Sequence, residues 1–284
     1  MRIDLHTHTS ASDGTDEPRS VGVLAAAVGL DVVAVTDHDT TAGWDAAIAG
    51  APAGVRVVPG VEFSCVVGEG ERRVSVHLLG YLFDRAEPRF AAERRRLRLD
   101  RTDRGRRIVE RLTTAGVPIE WPAVQRLAGG APIGRPHIAG ALVTAGASST
   151  VDDAFETWLR PGGPYYVRKR DVDVRDGIAM VLAAGGVPVF AHPRARKRGR
   201  VVTDDVIREL AAAGLAGIEV DHVDHDAADR VELRTLAGEL GLIMTGSSDY
   251  HGTNKAVPLG ANTTDPQAYA EICRRASGTQ PARC

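Results

Sequence analysis

Lysine is nearly absent from this chain of 284 residues: Lys169, Lys197 and Lys255 stand alone, and arginine supplies the rest of the 35 basic side chains. Alanine and glycine are abundant, so the skew reads as the coding bias of a GC-rich genome and is discounted as a sign of nucleic-acid binding. Net charge is only −2, which excludes a global field for polyanions. Cysteine is as scarce. Cys65, Cys273 and Cys284 form an odd, scattered set without CxxC spacing, which argues against a disulfide framework and a zinc ribbon. No run of 18 apolar residues occurs, and no cationic segment leads into an apolar one at the amino end. Neither a membrane span nor a signal peptide is expected, and a cytoplasmic enzyme or binding protein is the default. The rest, 43% hydrophobic and 25% charged, suits one large domain or a barrel with an insertion.

What is present in quantity is imidazole next to carboxylate. After a short strand-like opening comes His6-Thr7-His8-Thr9-Ser10-Ala11-Ser12-Asp13-Gly14. Residues two apart on an extended strand point the same way, so His6 and His8 share a side. Asp13 follows after a polar turn, and the three groups can hold a divalent metal. Taken alone, such a segment is more simply a polar surface loop. The other seven histidines change that reading.

Seven strands are expected, over 2–6, 32–35, 55–62, 74–80, 187–191, 217–222 and 242–246, mostly alternating with helices over 21–28, 44–48, 174–184, 204–213, 228–240 and 267–276. The continuous apolar run 32–35 is that of a strand buried on both faces. The alternation predicts a parallel α/β architecture, with a frayed tail over 277–284. Between 85 and 164 the rhythm breaks into helical segments. The arginine-rich run 90–112 reads as one long helix, and its interleaved acids favour a solvated face over a polyanion groove. A stretch of this length implies a role, read here as a small helical insertion. Polar candidates recur at or near the carboxyl ends of all seven strands: His6, Asp37 and His38, Glu62, His77, His192, Asp221 and His222, Asp249 and His251. In a (β/α) barrel these ends converge on one face, where active sites lie. His225 and its neighbouring aspartates, although histidine-rich in appearance, fit a helix N-terminus better than a further metal cluster.

Taken together, His6-x-His8 with Ser12-Asp13-Gly14, Thr36-Asp37-His38-Asp39, Glu62, His77, Ala191-His192-Pro193 and Ser248-Asp249-Tyr250-His251 resemble the PHP (polymerase and histidinol phosphatase) family of phosphoesterases. The match spans both ends of the chain. It implies a distorted (β/α)7 TIM-like barrel, residues 1–84 and 165–284, with the helical insertion 85–164 covering the active site. Gly134-Arg135-Pro136-His137 in that insertion is similar to a subgroup containing nucleoside 3′,5′-bisphosphate phosphatases and a 5′→3′ exoribonuclease. The resemblance implies one metal on His6, His8, Glu62 and Asp249. Glu62 would bridge to a second metal held also by His77 and His192, and a third would sit on Asp13, His38 and His251. Some family members carry histidine where Asp13 stands here.

Nine imidazole and carboxylate ligands without thiolate suit two or three ions of Mn, Fe or Zn. Such a centre implies a phosphomonoesterase acting through a metal-bridging hydroxide, with the metals neutralising phosphoryl charge. Asp37, beside a ligand histidine, would orient it or simply serve as a turn carboxylate. His222 would line the pocket or protonate the leaving oxygen. Arg135 and His137 would bind a second phosphate, unless Arg135 is salt-bridged in a helix hairpin and Pro136 merely starts a helix. Arg194, Lys169 and Arg168 are further phosphate candidates, although 165–167 also reads as a strand returning to the barrel. The expected substrate is a small phosphorylated nucleotide. The alternatives are short RNA with a 5′ phosphate, a histidinol-phosphate-type ester, or a non-catalytic metal-binding barrel. No membrane and no obligate protein partner are implied.

Overall fold

A computed structural model describes residues 1–70 and 73–282; Glu71 and Arg72 in the expected turn, and Cys284 with its neighbour Arg283, lie outside it. Eight strands build one sheet: β1 (Ile3–Asp4), β2 (Val32–Val35), β3 (Arg56–Val67), β4 (Val74–Tyr81), β5 (Val172–Asp173), β6 (Val187–Phe190), β7 (Gly217–Asp221) and β8 (Ile243–Gly246). Their order is β1-β2-β3-β4-β6-β7-β8, with β5 on the far half of β3. A parallel bridge between Thr7 and Tyr250, with His8 N donating to Tyr250 O at 2.8 Å, brings the two ends together. The result is a nearly closed α/β barrel.

Period-2 alternation sorts the strand side chains into two cores. Val32 and Ala34 of β2, Leu79 and Tyr81 of β4, and Val187 and Val189 of β6 fill the barrel interior with Ile3 and Leu5. Val33, Val35, Val57, Phe63 and Ile218 face outward. They are covered by helices that include α1 (Val21–Ala27), α2 (Trp44–Gly50), α7 (Val174–Ala183), α8 (Asp204–Ala212) and α9 (Ala227–Leu240). Local chemistry sets the helix ends. Asp226 caps α9 by accepting from Asp229 N at 2.8 Å, and Gly241 closes it at φ 64°, a left-handed conformation that costs glycine little. α10 (Pro266–Arg275) starts behind the Asp265 cap and packs Tyr269 and Ile272 against the interior core.

The barrel departs from strict parallel alternation at one point. β4 runs antiparallel to both β3 and β6, because β3 overshoots the barrel rim and turns straight back. Glu62 therefore sits midway along β3, and His77 midway along β4, where it pairs with Ser64. Both reach the mouth, but not from the carboxyl ends of their strands. Nor does 165–167 form a strand; β5 arises five residues later.

Four helices occupy the insertion: α3 (Pro88–Thr114), α4 (Trp121–Ala128), α5 (Arg135–Thr144) and α6 (Val151–Thr157). They share a separate core that includes Ile108, Leu112, Val124, Ile138 and Leu142, whereas Phe90 and Leu97 at the start of α3 belong to the barrel's outer core. α3 thus bridges the two. Its arginines are not all solvated. Arg94, Arg98, Arg101 and Arg104 recur at helical spacing and turn toward the barrel. Arg94 donates to Arg85 O at 2.6 Å, Arg98 to Asp39 O at 3.0 Å, Arg101 to Asp39 Oδ2 at 2.6 Å, and Arg104 to Val167 O at 2.6 Å. Arg96, on another face, pairs with Glu93 and Asp100 as a solvated helix surface does. Among the described residues, no helix is long and apolar enough to cross a membrane.

The described part of the tail is pinned, not frayed. Ser277 N and Gly278 N donate to Gly185 O, Thr279 N to Leu82 O and Ala282 N to Val57 O, all within 3.0 Å. Gly278 is required for this. A Cβ there would lie 2.4 Å from both Ala184 O and Asp84 N, and backbone atoms cannot yield. Gly278→Ala is expected to detach the tail and cost about 1–3 kcal/mol, read as a lower midpoint in urea with the barrel's circular dichroism retained.

Candidate active site and metal centre

Each strand end delivers its groups through a specific local device. Past β1 the chain carries His6 and His8 inward, and the loop to Asp13 folds back on itself through Ser12 N and Gly14 N, which donate to Thr9 O at 3.0 Å. A Cβ at Gly14 would strike His8 O at 2.4 Å. Asp37 holds this loop: it accepts from Thr9 N (2.8 Å), Thr9 Oγ1 (2.7 Å) and Ser12 Oγ (2.6 Å). Ser12 Oγ lies 3.4 Å from His8 Nδ1. Asp37 therefore orients His8 through Ser12 and touches no histidine itself. Burial raises its pKa, against these hydrogen bonds. His192 and Asp249 end β6 and β8 at φ 29° and 53°, conformations that side-chain-bearing residues adopt at a cost and mainly where function demands it.

The nine residues expected as ligands converge. Glu62, 1% exposed, is the hub. Its Oε2 lies 3.2 Å from His6 Nε2, 3.0 Å from His8 Nε2 and 3.2 Å from His38 Nδ1. Its Oε1 lies 2.5 Å from His77 Nδ1 and 2.9 Å from His192 Nε2. Asp249 Oδ1 is 3.4 Å from both His6 Nε2 and His8 Nε2. Asp13 faces His8, His38 and His251 at 3.5–3.6 Å. The ligand atoms fall into three sets, each within 4.8 Å: His6, His8, Glu62 and Asp249; His38, Glu62 and His77; His8, Asp13, His38 and His251. His8, His38 and Glu62 thus each belong to two sets, and His38 rather than the expected His192 joins Glu62 and His77.

This arrangement fits metal ions on its own chemistry. His38 Nδ1, His77 Nδ1 and Asp249 Oδ1 are buried without a hydrogen-bond partner, which is costly unless something else satisfies them. His6 and His8 face each other Nε2 to Nε2 at 3.1 Å, while His6 Nδ1 meets Glu219 Oε1 at 3.2 Å. With its Nδ1 proton given to Glu219, His6 presents a lone pair at Nε2, and only a proton or a cation can sit between two such lone pairs. The separation matches one edge of a polyhedron with bonds of about 2.0–2.1 Å.

Electrostatics agrees. Burial depresses His6, but Glu62, Asp249 and Glu219 outweigh it and hold its pKa well above the usual value. His8 is likewise lifted to about 9 against burial by Asp249 and Glu62. Burial and then Arg198 push His192 down to about 3, and burial with His8 and Lys255 does the same to His251. Glu62 and Asp249 are held well below the usual carboxylate range despite burial, Glu62 by the imidazoles around it and Asp249 chiefly by Lys255 and Arg198. The negative field that raises His6 and His8 also favours a cation, which would displace their protons on binding.

The remaining candidates separate. His222 reaches the cluster, with Nε2 3.5 Å from Asp249 Oδ2, and its Nδ1 accepts from Asp224 N at 3.0 Å. That bond places the proton of the neutral ring on Nε2, which has no hydrogen-bond partner. His137, at the start of α5, accepts from Gly134 N at 3.0 Å and feels Asp13 and Ser12. Arg135 donates to Leu159 O at 3.2 Å and stacks on Phe155. Lys169 pairs with Asp171 at 3.1 Å. Arg194 is not brought to the cluster. Its guanidinium is taken by Asp204 and by Val202 O, because the chain folds back on itself after β6. Asp221 pairs with Arg234 at half-buried positions, outside the cluster, and His225 is locked between Val220 O and Arg194 N.

Sequence reasoning missed Glu219, Arg101, Arg198 and Lys255. Glu219 had a legible signal, a lone acid inside the apolar run of β7. The three cations had none beyond their charge. Arg101 reaches Asp39 and Ser64 Oγ (2.8 Å); Arg198 and Lys255 reach Asp249 Oδ2 at 2.5 and 2.6 Å.

No protein-family model matches the chain. It is 34% identical over 274 residues to the 3′,5′-nucleoside bisphosphate phosphatase of Chromobacterium violaceum, covering 96% of this chain and 94% of that protein. It is 32% identical over 260 residues to the 5′-3′ exoribonuclease Rnm of Salmonella typhimurium, covering 90% and 87%. It is 34% identical over 261 residues to the phosphoribosyl 1,2-cyclic phosphate 1,2-diphosphodiesterase of Eggerthella lenta, covering 91% and 97%. Among solved structures, a metal-dependent phosphoesterase of Bifidobacterium adolescentis superposes with TM-score 0.89 at 37% identity, over 97% of this chain and 96% of that one. An amidohydrolase of Chromobacterium violaceum with bound sulfate and no metal superposes with TM-score 0.84 at 32% identity, over 98% of both. With its imidazole–carboxylate cluster at the mouth of a distorted barrel, the chain belongs to the PHP family of metal-dependent phosphoesterases, in the branch of bisphosphate phosphatases and 5′-3′ exoribonucleases.

Proposed function

We propose that this chain hydrolyses the phosphomonoester of a nucleoside 3′,5′-bisphosphate, using two or three divalent ions of Mn, Fe or Zn. One observation carries the choice of a doubly phosphorylated substrate. Beside the cluster, on the insertion side, Arg101, Arg104 and Arg135 crowd one another. Burial and then the Arg135 charge push Arg104 down to about 10, and burial with Arg101 lowers Arg135. Among the described residues, Arg104 and Arg135 have no carboxylate partner; their hydrogen bonds go to Val167 O and Leu159 O. Like charges buried together this way await an anion. A second cationic group, Arg198 and Lys255, lies against Asp249. Two phosphates, one reacting and one held by residues of the insertion 85–164, match two cationic groups. The bisphosphate phosphatase relative supports the same substrate.

In this reading His6, His8, Asp13, His38, Glu62, His77, His192, Asp249 and His251 hold the ions. When bound, these would polarise the phosphoryl oxygens and provide a nucleophile at neutral pH. The chain does the rest. Asp37 fixes the His8 loop, Glu219 fixes the His6 tautomer, and His137 and Arg135 orient the non-reacting phosphate, with Lys169 adding charge behind them. As water oxygen bonds to phosphorus and the ester P–O bond breaks, the leaving alkoxide needs a proton. His222 Nε2–H, unpartnered and beside Asp249, is placed to give it.

Metal-loaded protein is expected to release inorganic phosphate from adenosine 3′,5′-bisphosphate faster than it shortens a 5′-phosphorylated oligoribonucleotide. Chain shortening with no phosphate release from the bisphosphate would replace this reading with the exonuclease one. Arg135→Ala should raise KM for the bisphosphate by about 10–100-fold and leave KM for adenosine 5′-monophosphate nearly unchanged; equal effects on both would remove the second-phosphate role.

Glu219→Gln keeps the shape of the side chain but not its charge. Metal affinity, measured by calorimetry with Mn²⁺, should fall by about 10–100-fold while the barrel stays folded. Asp249→Ala should abolish turnover and lower the metal content measured by elemental analysis; full activity in that variant would move the site elsewhere.

A further inference from the structure

Five basic side chains fall within residues 194–200, and the fold uses them differently. Arg194 is buried against Asp204. Arg196 donates to Asp229 Oδ1 at 2.6 Å, in the first turn of α9. Arg198 alone among the residues placed so far turns from this segment into the cluster. It sits at the end of a short 3₁₀ turn, Arg196–Arg198, and Gly199 at φ 133° lets the chain reverse behind it. Its Nε donates to Asp224 Oδ2 at 2.7 Å, its Nη2 to Asp249 Oδ2 at 2.5 Å and its Nη1 to His192 Nε2 at 3.2 Å. A third of the side chain stays open to solvent.

We propose that Arg198, aimed by Asp224, binds the phosphoryl group under attack and sets the affinity of the site for phosphate. The guanidinium fork is already divided for this. One edge is anchored outside the cluster by Asp224, whose own backbone N–H fixes His222. The Nη groups point at two residues of the cluster, Asp249 and His192. Asp249 is divided in the same way: Oδ1 faces His6 and His8, while Oδ2 faces Arg198 and Lys255. The Nη1 contact goes to a histidine nitrogen that a metal would take, which frees that donor for a phosphoryl oxygen. Nη1, and the second N–H of Nη2 beside the one given to Asp249, then match two oxygens of one tetrahedral anion. Asp224 is a positioning residue: it touches Arg198 and His222 and none of the expected ligands.

The inference rests on the cluster being the hydrolytic centre, and the test keeps the two apart by measuring anion binding without turnover. Inorganic phosphate is titrated into Mn²⁺-loaded protein by calorimetry, with metal content determined on the same samples. Arg198→Ala should weaken phosphate binding about 10–100-fold with metal content unchanged. Arg198→Lys should restore part of it, because an ammonium keeps the charge and loses the fork. Asp224→Asn should weaken it several-fold and raise KM more than it lowers kcat. Phosphate affinity unchanged in Arg198→Ala would overturn the proposal, as would loss of metal in parallel with phosphate, which would make Arg198 a counter-charge for Asp249. If wild-type protein binds phosphate through Arg198 yet releases none from adenosine 3′,5′-bisphosphate, the substrate reading fails and this one stands.

Discussion

A single buried carboxylate sets the terms for this fold. Glu62 has five imidazoles around its two oxygens, from His6, His8, His38, His77 and His192, all within 3.2 Å. An ionised carboxylate removed from water this completely is tolerated only with charge and hydrogen-bonding partners in place. The five rings come from four separate stretches of chain besides β3, so the sheet must bring these stretches to one carboxylate. The antiparallel β4 is part of that solution. Running back from the overshooting β3, it sets His77 opposite Ser64 and against the same carboxylate. The left-handed backbone at His192 and Asp249 is another part: it turns His192 to Glu62 and Asp249 to His6 and His8.

Around this hub the residues form a graded series of supports. Glu219 lies beneath His6, Ser12 and Asp37 lie behind His8, and Asp224 lies behind both His222 and Arg198. Ser247 Oγ donates to Glu219 Oε1 in turn, and Ser248 N and Gly260 N to the carboxylate of Asp4 below. Groups whose partners are themselves fixed lose little freedom when a cation or an anion arrives, which is what makes such a site precise.

The legible part of this protein was the part with a short code. Histidines and acids recurring at strand ends identify the cluster before any coordinate does, because metal ligands are drawn from few residue types and the barrel places strand ends together. Burial on both faces made β2, β6 and β8 readable for the same reason. The direction of β4 was not readable: an eight-residue apolar strand pairs equally well either way, and what decides is the hairpin before it. The supports were harder still. Glu219 can be found as an acid in an apolar strand, but Arg198 differs from Arg194 and Arg196 by nothing in the sequence; only the turn at Gly199 separates the one that faces the cluster. The tail also escaped notice, since backbone hydrogen bonds to Gly185, Leu82 and Val57 leave no mark in side-chain pattern.

The arginine excess shows how a compositional bias acquires roles. Coding bias explains why basic positions carry arginine, but not where the fold puts them. On α3, Arg96 and its acidic neighbours behave as any solvated helix face, worth little to stability. One turn around, Arg94 reaches Thr41 while Arg98 and Arg101 reach Asp39, contacts that tie α3 to the barrel beside His38, one of the expected ligands. A lysine in place of Arg94 or Arg104 could not do the same, since each donates to a backbone carbonyl while its planar face lies over a ring, Arg94 on Phe83 and Phe90 and Arg104 on Tyr166. Relatives with three different substrates retain a similar degree of identity to this chain, so the identity shared with each does not by itself select a substrate. Selection then falls to what surrounds the cluster. Here that is two cationic groups, Arg101, Arg104 and Arg135 on the insertion side, and Arg198 and Lys255 against Asp249.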